Sequence, residues 1–424
     1  MADRTPVVDF DHHSPQVAAD PAKVYRELRQ KCPVFWTEKH GGYWVFTRYE
    51  HVAELLGDDA RFSSARRSDA GGPGSSVSIP KRPSVPQYPL ELDPPDSVPY
   101  RRILNPLLSP AAAERMRDGI RSRVAWCIDQ FVARGECDLV RELASAVPAS
   151  VTIDWLGLPH ESWPRLSKTM HDIAALNPED PRWLEASQNL RQMYVDLAQV
   201  IEQRRRQPAD DVISVIARQE IAGAPITPED ALGMVGLLVA GGVDTTTSVT
   251  SQALVWLSDN RDDHGRLLAD ASFLRSATEE FLRMYSPAQA LARTMNGETT
   301  VGGCAIHDGD RLLIGFASAN RDTDIFDDPD CVMLDRFPNR HLAFGIGMHR
   351  CVGSNLARVM FEEMLRGVLS RIPDYVVDTS VLRPYFTQGL ASGWQQVPAT
   401  FTPGRPTGAA IDVAAFRMSR EAGH

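Results

Sequence analysis

Apolar residues recur at three- and four-residue spacing through most of the chain, which is the pattern of amphipathic helices. The pattern extends from Asp93 to about Asp374 and predicts a mainly helical protein. Strand-like runs are few. Val34–Trp36 and Tyr43–Thr47 flank a polar, glycine-containing turn and predict a hairpin. A further short strand is expected at Arg311–Ile314. The sequence therefore predicts a mainly α fold with a small β region.

One predicted helix is well marked at its start and stays apolar on nearly every side. Thr227 is a suitable N-cap, Pro228 suits the first helical position, and acidic residues follow in the first turn. This helix is predicted to run to about Ser258. Because a helix that is apolar all round is normally buried, we expect it at the centre of the protein. Its most apolar part, Ala231–Val243, is too short and too rich in glycine to span a bilayer.

Residues 66–99 show neither helical nor strand-like spacing of apolar residues and are rich in Gly, Ser and Pro. This composition predicts an ordered but irregular loop. Glycines at 71, 72 and 74 loosen its first half, whereas prolines at 80, 83, 86 and 89 fix φ in its second. Long loops of this kind are often lids, so we expect a substrate lid here. The alternative is a solvated connector without substrate contact. The rest of the chain is interpreted as one domain, 1–424, with a C-terminal tail at 403–424.

Composition and charge exclude several classes of protein. The chain has 424 residues, of which 43% are apolar, enough for a large buried core. A net charge of −10 argues against nucleic acid as a partner. The N-terminus lacks the cationic and apolar regions of a signal peptide, so a soluble cytoplasmic protein without membrane contact is expected. None of the six cysteines forms a Cys-x-x-Cys pair, which argues against a zinc site or a disulfide framework.

One cysteine differs from the others because of its neighbours, in the segment Phe344-Gly-Ile-Gly-Met-His-Arg-Cys-Val-Gly353. Its glycines allow a tight turn that approaches a flat partner closely. The residues from Leu356 onward predict a helix that begins near Cys351, and a helix N-terminus stabilises a thiolate. Cys351 is therefore a candidate metal ligand. The alternative is a tight loop around an inert thiol.

A second unusual segment, Ala240-Gly-Gly-Val-Asp-Thr-Thr246, lies in the middle of the long helix. A glycine inside a helix costs about 1 kcal/mol relative to alanine. A buried Asp such as Asp244 is also costly unless it is partnered. Departures of this kind often mark functional sites. The alternative is a glycine pair that eases helix packing, followed by a capping threonine.

The cysteine segment resembles the haem-binding signature of the bacterial soluble (class I type) cytochrome P-450 family, Phe-Gly-x-Gly-x-His-x-Cys-x-Gly. Every fixed position of that signature is present, and the similarity covers roughly Pro21–Phe401. It implies the P-450 fold, with haem b (iron protoporphyrin IX) between the long central helix and the helix that follows Cys351. Cys351 is then the proximal ligand of the iron.

The resemblance assigns roles to further residues. Asp244 is expected to relay protons and Thr245 to take part in oxygen activation. Glu280-Phe-Leu-Arg283 matches the family's Glu-x-x-Arg pair, with Arg336 as its third member, and these three are expected to hold the cysteine loop. The implied haem contacts are Arg101, Arg293 and His349 at the propionates, together with Phe344, Gly345 and Gly241. Many relatives carry His where this chain has Ser97, which leaves open whether Ser97 contacts a propionate.

The implied activity is insertion of one atom of O₂, by hydroxylation or epoxidation, into a lipophilic or aromatic molecule such as a natural-product intermediate of secondary metabolism. Ferredoxin and an NAD(P)H-dependent ferredoxin reductase are expected to supply electrons, because the chain has no flavin or iron–sulfur signature. Candidate ferredoxin contacts are Arg102, Arg350 and Arg358, and a monomer is expected. The residues expected to line the substrate pocket are Val85, Tyr88, Leu90, Val239, Ala240, Ala288, Leu291 and Leu390. Oxidative coupling, a peroxide-driven reaction and a non-enzymatic haem sensor or electron carrier remain as alternatives.

Overall fold

The structure is a computed structural model that describes residues 6–387 and 389–418. The helices are α1 Pro15–Ala19, α2 Pro21–Lys31, α3 Tyr49–Gly57, α4 Ser97–Leu107, α5 Pro110–Arg115, α6 Arg117–Asp129, α7 Ala146–Leu156, α8 Trp163–Ala175, α9 Pro181–Arg206, α10 Val212–Ala217, α11 Pro228–Gly242, α12 Asp244–Asp259, α13 Arg261–Ala269, α14 Leu274–Tyr285, α15 Phe316–Ala319 and α16 Ser354–Arg371. The strands are β1 Val34–Thr37, β2 Tyr43–Phe46, β3 Phe62–Ser63, β4 Glu136–Asp138, β5 Glu220–Ile221, β6 Ala224–Pro225, β7 Leu291–Met295, β8 Thr299–Val301, β9 Cys304–Ile306, β10 Arg311–Ile314, β11 Val376–Val377 and β12 Pro398–Thr400.

The chain forms two compact units, each built from separate parts of the sequence. The first contains the residues up to Arg101 together with Glu279–Cys351 and Phe386–Ser392. The second contains Arg102–Thr278, Val352–Tyr385 and the residues from Gly393 onward. The interpretation of the chain as one domain stays a prediction.

A mixed sheet in the order β1-β2-β10-β7-β3 organises the first unit. β1 and β2 form the antiparallel hairpin that the sequence predicts, and β10 joins β2 in parallel. Successive side chains of β2 and β10 enter opposite apolar clusters: Trp44 and Leu312 pack on one side, Val45 and Leu313 on the other. The sheet is therefore buried on both faces and forms the core of this unit.

Helices dominate the second unit, with a small sheet in the order β11-β12-β4 at its side. Thr227 caps α11 as predicted, because its side chain accepts a hydrogen bond from the Asp230 amide. The predicted long helix is interrupted at Val243, where α11 ends and α12 begins. The run Pro228–Asp259 has the length and composition of a membrane span, but 67% of its most apolar window is buried, as in a core helix.

The segment 66–99 is irregular, as predicted, until α4 begins at Ser97. Its conformation is tied together by the buried carboxylate of Glu91. One oxygen accepts hydrogen bonds from Ser75 Oγ (2.9 Å) and the Ser76 amide (2.8 Å), the other from Arg66 Nε (2.8 Å) and the Gln87 amide (2.9 Å). The first half of the segment is therefore anchored despite its glycines.

Candidate active site

Cys351 lies at the end of a tight loop, three residues before α16 begins. Its amide donates to the carbonyl oxygen of Phe344 at 2.8 Å, which closes the loop. Gly345 and Gly347 have φ values of 64° and 69°, a left-handed conformation that favours glycine. A side chain at Gly347 would also lie 2.8 Å from the Leu56 carbonyl oxygen. The two glycines of the motif are thus required by the backbone path, and the loop leaves Cys351 exposed.

A buried ion network lies upstream of this loop. Glu280 and Arg283 of α14 are fully buried, and their side chains form two hydrogen bonds of 2.8 Å. Arg336 Nε donates to both Glu280 oxygens at 3.0 Å. The Met333 amide and Asn339 Nδ2 complete the shell of the carboxylate at 2.8 and 3.1 Å. The structure therefore brings together the three residues that the sequence grouped.

Hydrogen bonds connect this network to the cysteine loop. Arg283 donates to the carbonyl oxygen of Asn320 at 2.9 Å, and the Asn320 side chain accepts from the Leu342 amide at 2.6 Å. The Leu342 carbonyl then accepts from the Gly345 amide at 2.8 Å. The loop that bears Cys351 is thus linked to a buried charge pair through backbone groups and the side chain of Asn320.

The predicted propionate anchors contain buried polar atoms that no protein group satisfies. Ser97 Oγ, Arg293 Nε and His349 Nε2 are all buried and have no hydrogen-bond partner among the described residues. All three can donate a hydrogen bond, and buried donors normally have a partner. The two propionate carboxylates of a haem would provide acceptors for these donors. Cys351 is exposed on its loop and so is accessible to the iron. Arg101 is differently engaged, because its guanidinium donates to the Arg350 carbonyl at 2.6 Å.

Two carboxylates of the protein share this region. His349 Nε2 lies 3.6 Å from Asp59 Oδ1 and 3.7 Å from Asp93 Oδ1, which are ion-pair distances but too long for hydrogen bonds. Burial lowers the pKa of Arg293 to about 10, against the opposing effect of both acids. Arg293 therefore stays cationic at neutral pH, as an anchor for an anion requires.

The second predicted motif lies at the break between α11 and α12. Val243 has φ −101° and ψ −70°, outside the regular helix. Thr245 Oγ1 donates a hydrogen bond of 2.8 Å to the Gly241 carbonyl oxygen, which lies on the other side of the break. Asp244 follows the break directly and is buried. The glycine pair, the acid and the alcohol thus form one irregular turn.

Asp244 has two buried partners that the sequence analysis missed. Its Oδ1 lies 3.1 Å from His171 Nδ1, and its Oδ2 accepts a hydrogen bond from the Tyr385 hydroxyl at 2.9 Å. The other nitrogen of His171 lies 3.0 Å from the Gln395 carbonyl oxygen. A carbonyl oxygen only accepts, so His171 Nε2 carries a proton. Its Nδ1 faces the Asp244 carboxyl, so both ring nitrogens of His171 lie within hydrogen-bond distance of an oxygen.

The electrostatics of this group follow from its burial. Burial opposes a charge on His171, but the hydrogen bond to Asp244 and the negative charge of that residue outweigh it and raise the pKa of His171. Burial and the same negative charge raise the pKa of Tyr385 well above its usual range. Tyr385 therefore stays a neutral donor to Asp244.

The residues predicted to line the pocket lie in both units. In the first, the Gln289 amide donates to the Leu390 carbonyl at 2.9 Å, and Ala288 forms a bridge with Ala391. Tyr88 packs against Tyr100 with ring centroids 5.4 Å apart. Val85, Leu90 and Leu291 are partly buried there, whereas Val239 and Ala240 belong to α11 in the second unit.

The cysteine loop, the ion network and the unsatisfied donors define a haem-thiolate protein. Comparison with known proteins agrees. The sequence model of the family "Cytochrome P450" matches residues 266–373. A steroid C26-monooxygenase of Mycolicibacterium smegmatis is 31% identical over 91% of this chain and 93% of its own length. A linalool 8-monooxygenase of Pseudomonas putida is 31% identical over 81% of this chain and 87% of its own. This chain belongs to the cytochrome P450 family.

Solved structures agree with this assignment. The cytochrome P450 PksS of the bacillaene polyketide synthase of Bacillus subtilis 168 superimposes with a TM-score of 0.82 at 25% identity, covering 92% of this chain and 99% of that one. CYP109E1 of Bacillus megaterium, in complex with testosterone, gives 0.80 at 28% identity, covering 92% and 100%. The predicted fold class, the haem cofactor and the monooxygenase activity are thereby confirmed. The enzyme is an oxidoreductase that uses O₂, a small-molecule substrate and redox partners.

Proposed function

We propose that this enzyme hydroxylates or epoxidises a lipophilic small molecule, such as a natural-product intermediate, with electrons from a ferredoxin. The relatives named above act on a steroid and on linalool, and one related structure holds testosterone. The residues expected to line the pocket are mostly small and apolar, which favours a ligand of the same character. We further propose that the protein acts as a cytoplasmic monomer.

The observation that carries this proposal is the buried Asp244 at the helix break, with His171 and Tyr385 as its buried partners. Insertion of one atom of O₂ releases the other as water and so consumes protons. A haem ligated by a thiolate supplies the activation of O₂. Asp244 delivers protons and Thr245, its neighbour, directs them. A peroxide-driven enzyme receives its oxygen already protonated and has less need of this group.

The remaining residues hold the cofactor. Arg293, His349 and Ser97 would donate to the haem propionates, together with the charge of Arg101. The Glu280–Arg283–Arg336 network keeps the cysteine loop in place through Asn320 and Leu342. In this interpretation Ser97 supplies a neutral hydrogen bond where many relatives carry an imidazole.

Two steps test the proposed reaction. Lipophilic compounds are first screened for a shift of the haem spectrum to high spin, which reports displacement of water from the iron. Compounds that bind are then incubated with NADPH, ferredoxin reductase and ferredoxin, and products are identified by mass spectrometry. We expect one added oxygen atom per product and dependence on ferredoxin. A coupled dimer, or equal turnover with peroxide alone, would contradict the proposal.

The ferredoxin surface is tested at Arg350, which is exposed beside Cys351. Arg350→Ala should raise the KM for ferredoxin and weaken the salt dependence of the rate, because rim charges mainly affect association. Arg206→Ala is the matched control, since that side chain is 79% exposed and lies at the end of α9. Arg102 and Arg358 are tested in the same way. Equal KM values for all four variants would exclude this surface.

The pocket is tested at Tyr88. Tyr88→Ala should weaken substrate binding and relax regioselectivity, while the carbon monoxide spectrum stays unchanged. Leu184→Ala, at a residue that is 53% exposed on α9, is the control. An unchanged affinity and product profile in Tyr88→Ala would favour the alternative in which segment 66–99 is a solvated connector.

A further inference from the structure

Three of the eleven histidines of the chain lie together in the first unit, remote in sequence from the haem motifs. The N-terminal segment runs beside β1, with hydrogen bonds between Val8 and Trp36 (2.9 Å) and between Trp36 and Pro6 (2.8 Å). This pairing holds Asp11, His12 and His13 next to the turn of the β1–β2 hairpin. His40 lies in that turn with a left-handed backbone (φ 52°).

Three side chains converge there. Asp11, His12 and His40 each offer one ligand atom, and these atoms all lie within 4.8 Å of one another. Asp11 Oδ1 and His40 Nε2 are 2.9 Å apart. Ligands of one tetrahedral zinc ion lie about 3.3 Å apart, so side-chain movements of about 1 Å are enough to close the site.

His12 supplies an independent sign of a missing partner. Its side chain is fully buried, and its Nε2 has no hydrogen-bond partner among the described residues. Its Nδ1 lies 2.9 Å from the Tyr43 hydroxyl. Histidine ligands of metals commonly donate their other N–H to such a group, which directs the lone pair of Nε2 to the metal. A metal ion would therefore satisfy a buried atom that the protein leaves alone.

The residues beside the cluster have partners of their own. His13 is not available as a ligand, because its ring nitrogens contact Thr387 Oγ1 and the Ile79 carbonyl, both at 2.9 Å. It packs on His12 with ring centroids 4.0 Å apart and supports it. The nearby Lys39 is paired with Asp9 at 2.9 Å.

We propose that Asp11, His12 and His40 bind one divalent transition-metal ion, Zn²⁺ in the first place. Two imidazoles and a carboxylate without sulfur suit Zn²⁺, and Ni²⁺ or Cu²⁺ by the same donor chemistry. Water completes the fourth position. The ion fastens the N-terminal segment to the β1–β2 hairpin and has no part in the oxidation. Cysteine spacing predicts the absence of a cysteine-based zinc site, and this cluster contains no cysteine.

The test uses the haem-loaded enzyme without an affinity tag, stripped by a chelator and titrated with ZnCl₂ in a calorimeter. We expect one site per chain with a Kd tighter than about 10 µM, and a higher Tm at saturating zinc. His40→Ala and Asp11→Asn should each weaken binding at least about tenfold, which is about 1.4 kcal/mol. The carbon monoxide spectrum should not change, so the result is independent of the proposed reaction.

His307→Ala is the matched control, because that side chain is 61% exposed and lies 3.8 Å from the carboxylate of Glu298. It should bind zinc as the unaltered enzyme does. Absence of a saturable site tighter than the stated Kd would overturn the proposal. So would unaltered affinity in His40→Ala, since zinc would then be bound elsewhere.

Discussion

Replacement of His171 by Gln tests how the proton needed for oxygen insertion is held. His171 Nδ1 and Asp244 Oδ1 are 3.1 Å apart. At an effective dielectric constant of about 20, unit charges at that distance attract by about 5 kcal/mol. Desolvation of two buried ions removes most of this attraction, which leaves a coupling energy of about 1–3 kcal/mol. Because Gln is neutral, His171→Gln should lower kcat by about 5- to 150-fold if that coupling is used in proton delivery.

The pH dependence of the His171–Asp244 ion pair predicts how kcat changes with pH. The pKa of His171 is raised in the folded protein above its ordinary value of 6.5. The stabilisation by the ion pair is therefore fully present below about pH 6.5 and is lost as pH rises through the raised pKa. The kcat of the unaltered enzyme should therefore fall as pH rises through this pKa, which gives an alkaline limb in the pH profile. His171→Gln should lack that limb.

The assay measures kcat and product per NADPH from about pH 6 to pH 9, with saturating ferredoxin. In a double-mutant cycle, the double variant His171→Gln/Asp244→Asn should lose little more kcat than Asp244→Asn alone, because the two residues act as a unit. His264→Gln places the same side-chain amide at another buried histidine of the second unit and is the control for the effect of burying a Gln. Unchanged kcat and an unchanged alkaline limb in His171→Gln, with a normal carbon monoxide spectrum, would refute the reasoning.

Three further predictions concern the cysteine loop and oxygen activation. Cys351→His should abolish the carbon monoxide band near about 450 nm, whereas Cys331→Ser, at another exposed cysteine, should keep it. Thr245→Ala should bind substrate normally but divert electrons to hydrogen peroxide, measured as product per NADPH; unchanged coupling would speak against its role. Glu280→Gln leaves two buried guanidinium groups without an anion and should lower the free energy of unfolding by about 3–5 kcal/mol in denaturant titrations. Glu279→Gln, at its partly exposed neighbour, should have little effect, and equal losses in both would contradict the network.

Several elements of the fold could be predicted from local signals in the sequence. The start of α11 at Pro228 and the strand β10 agree with the structure because capping chemistry and periodicity act within a few residues. The cysteine motif and the Glu280 group depended on the resemblance to a known family. The break at Val243 was indicated only by the glycines and the acid around it. The sequence pattern predicted one uninterrupted helix, whereas the structure has two, α11 and α12.

The partners of Asp244 could not be found in this way. His171 lies 73 residues before it and Tyr385 lies 141 residues after it, so no spacing rule connects them. One signal existed in retrospect. His171 occupies a buried position of α8, next to the buried Met170, where a polar side chain requires a partner. The identity of that partner is a property of the tertiary structure alone.

The carboxylate of Glu91 has a consequence for selectivity. Donor groups of four residues between 66 and 87 meet on this one side chain, and Arg311 of β10 adds bonds to the Ser76 and Ser78 carbonyls at 2.6 and 3.1 Å. The loop is thus held by the protein's own hydrogen bonds. If segment 66–99 contacts substrate as we propose, binding has little loop motion to freeze, and the loop has equally little freedom to adapt to a ligand. On that proposal the enzyme would discriminate between molecules by their outline, and a broader choice of substrate would require loosening Glu91 before enlarging the pocket.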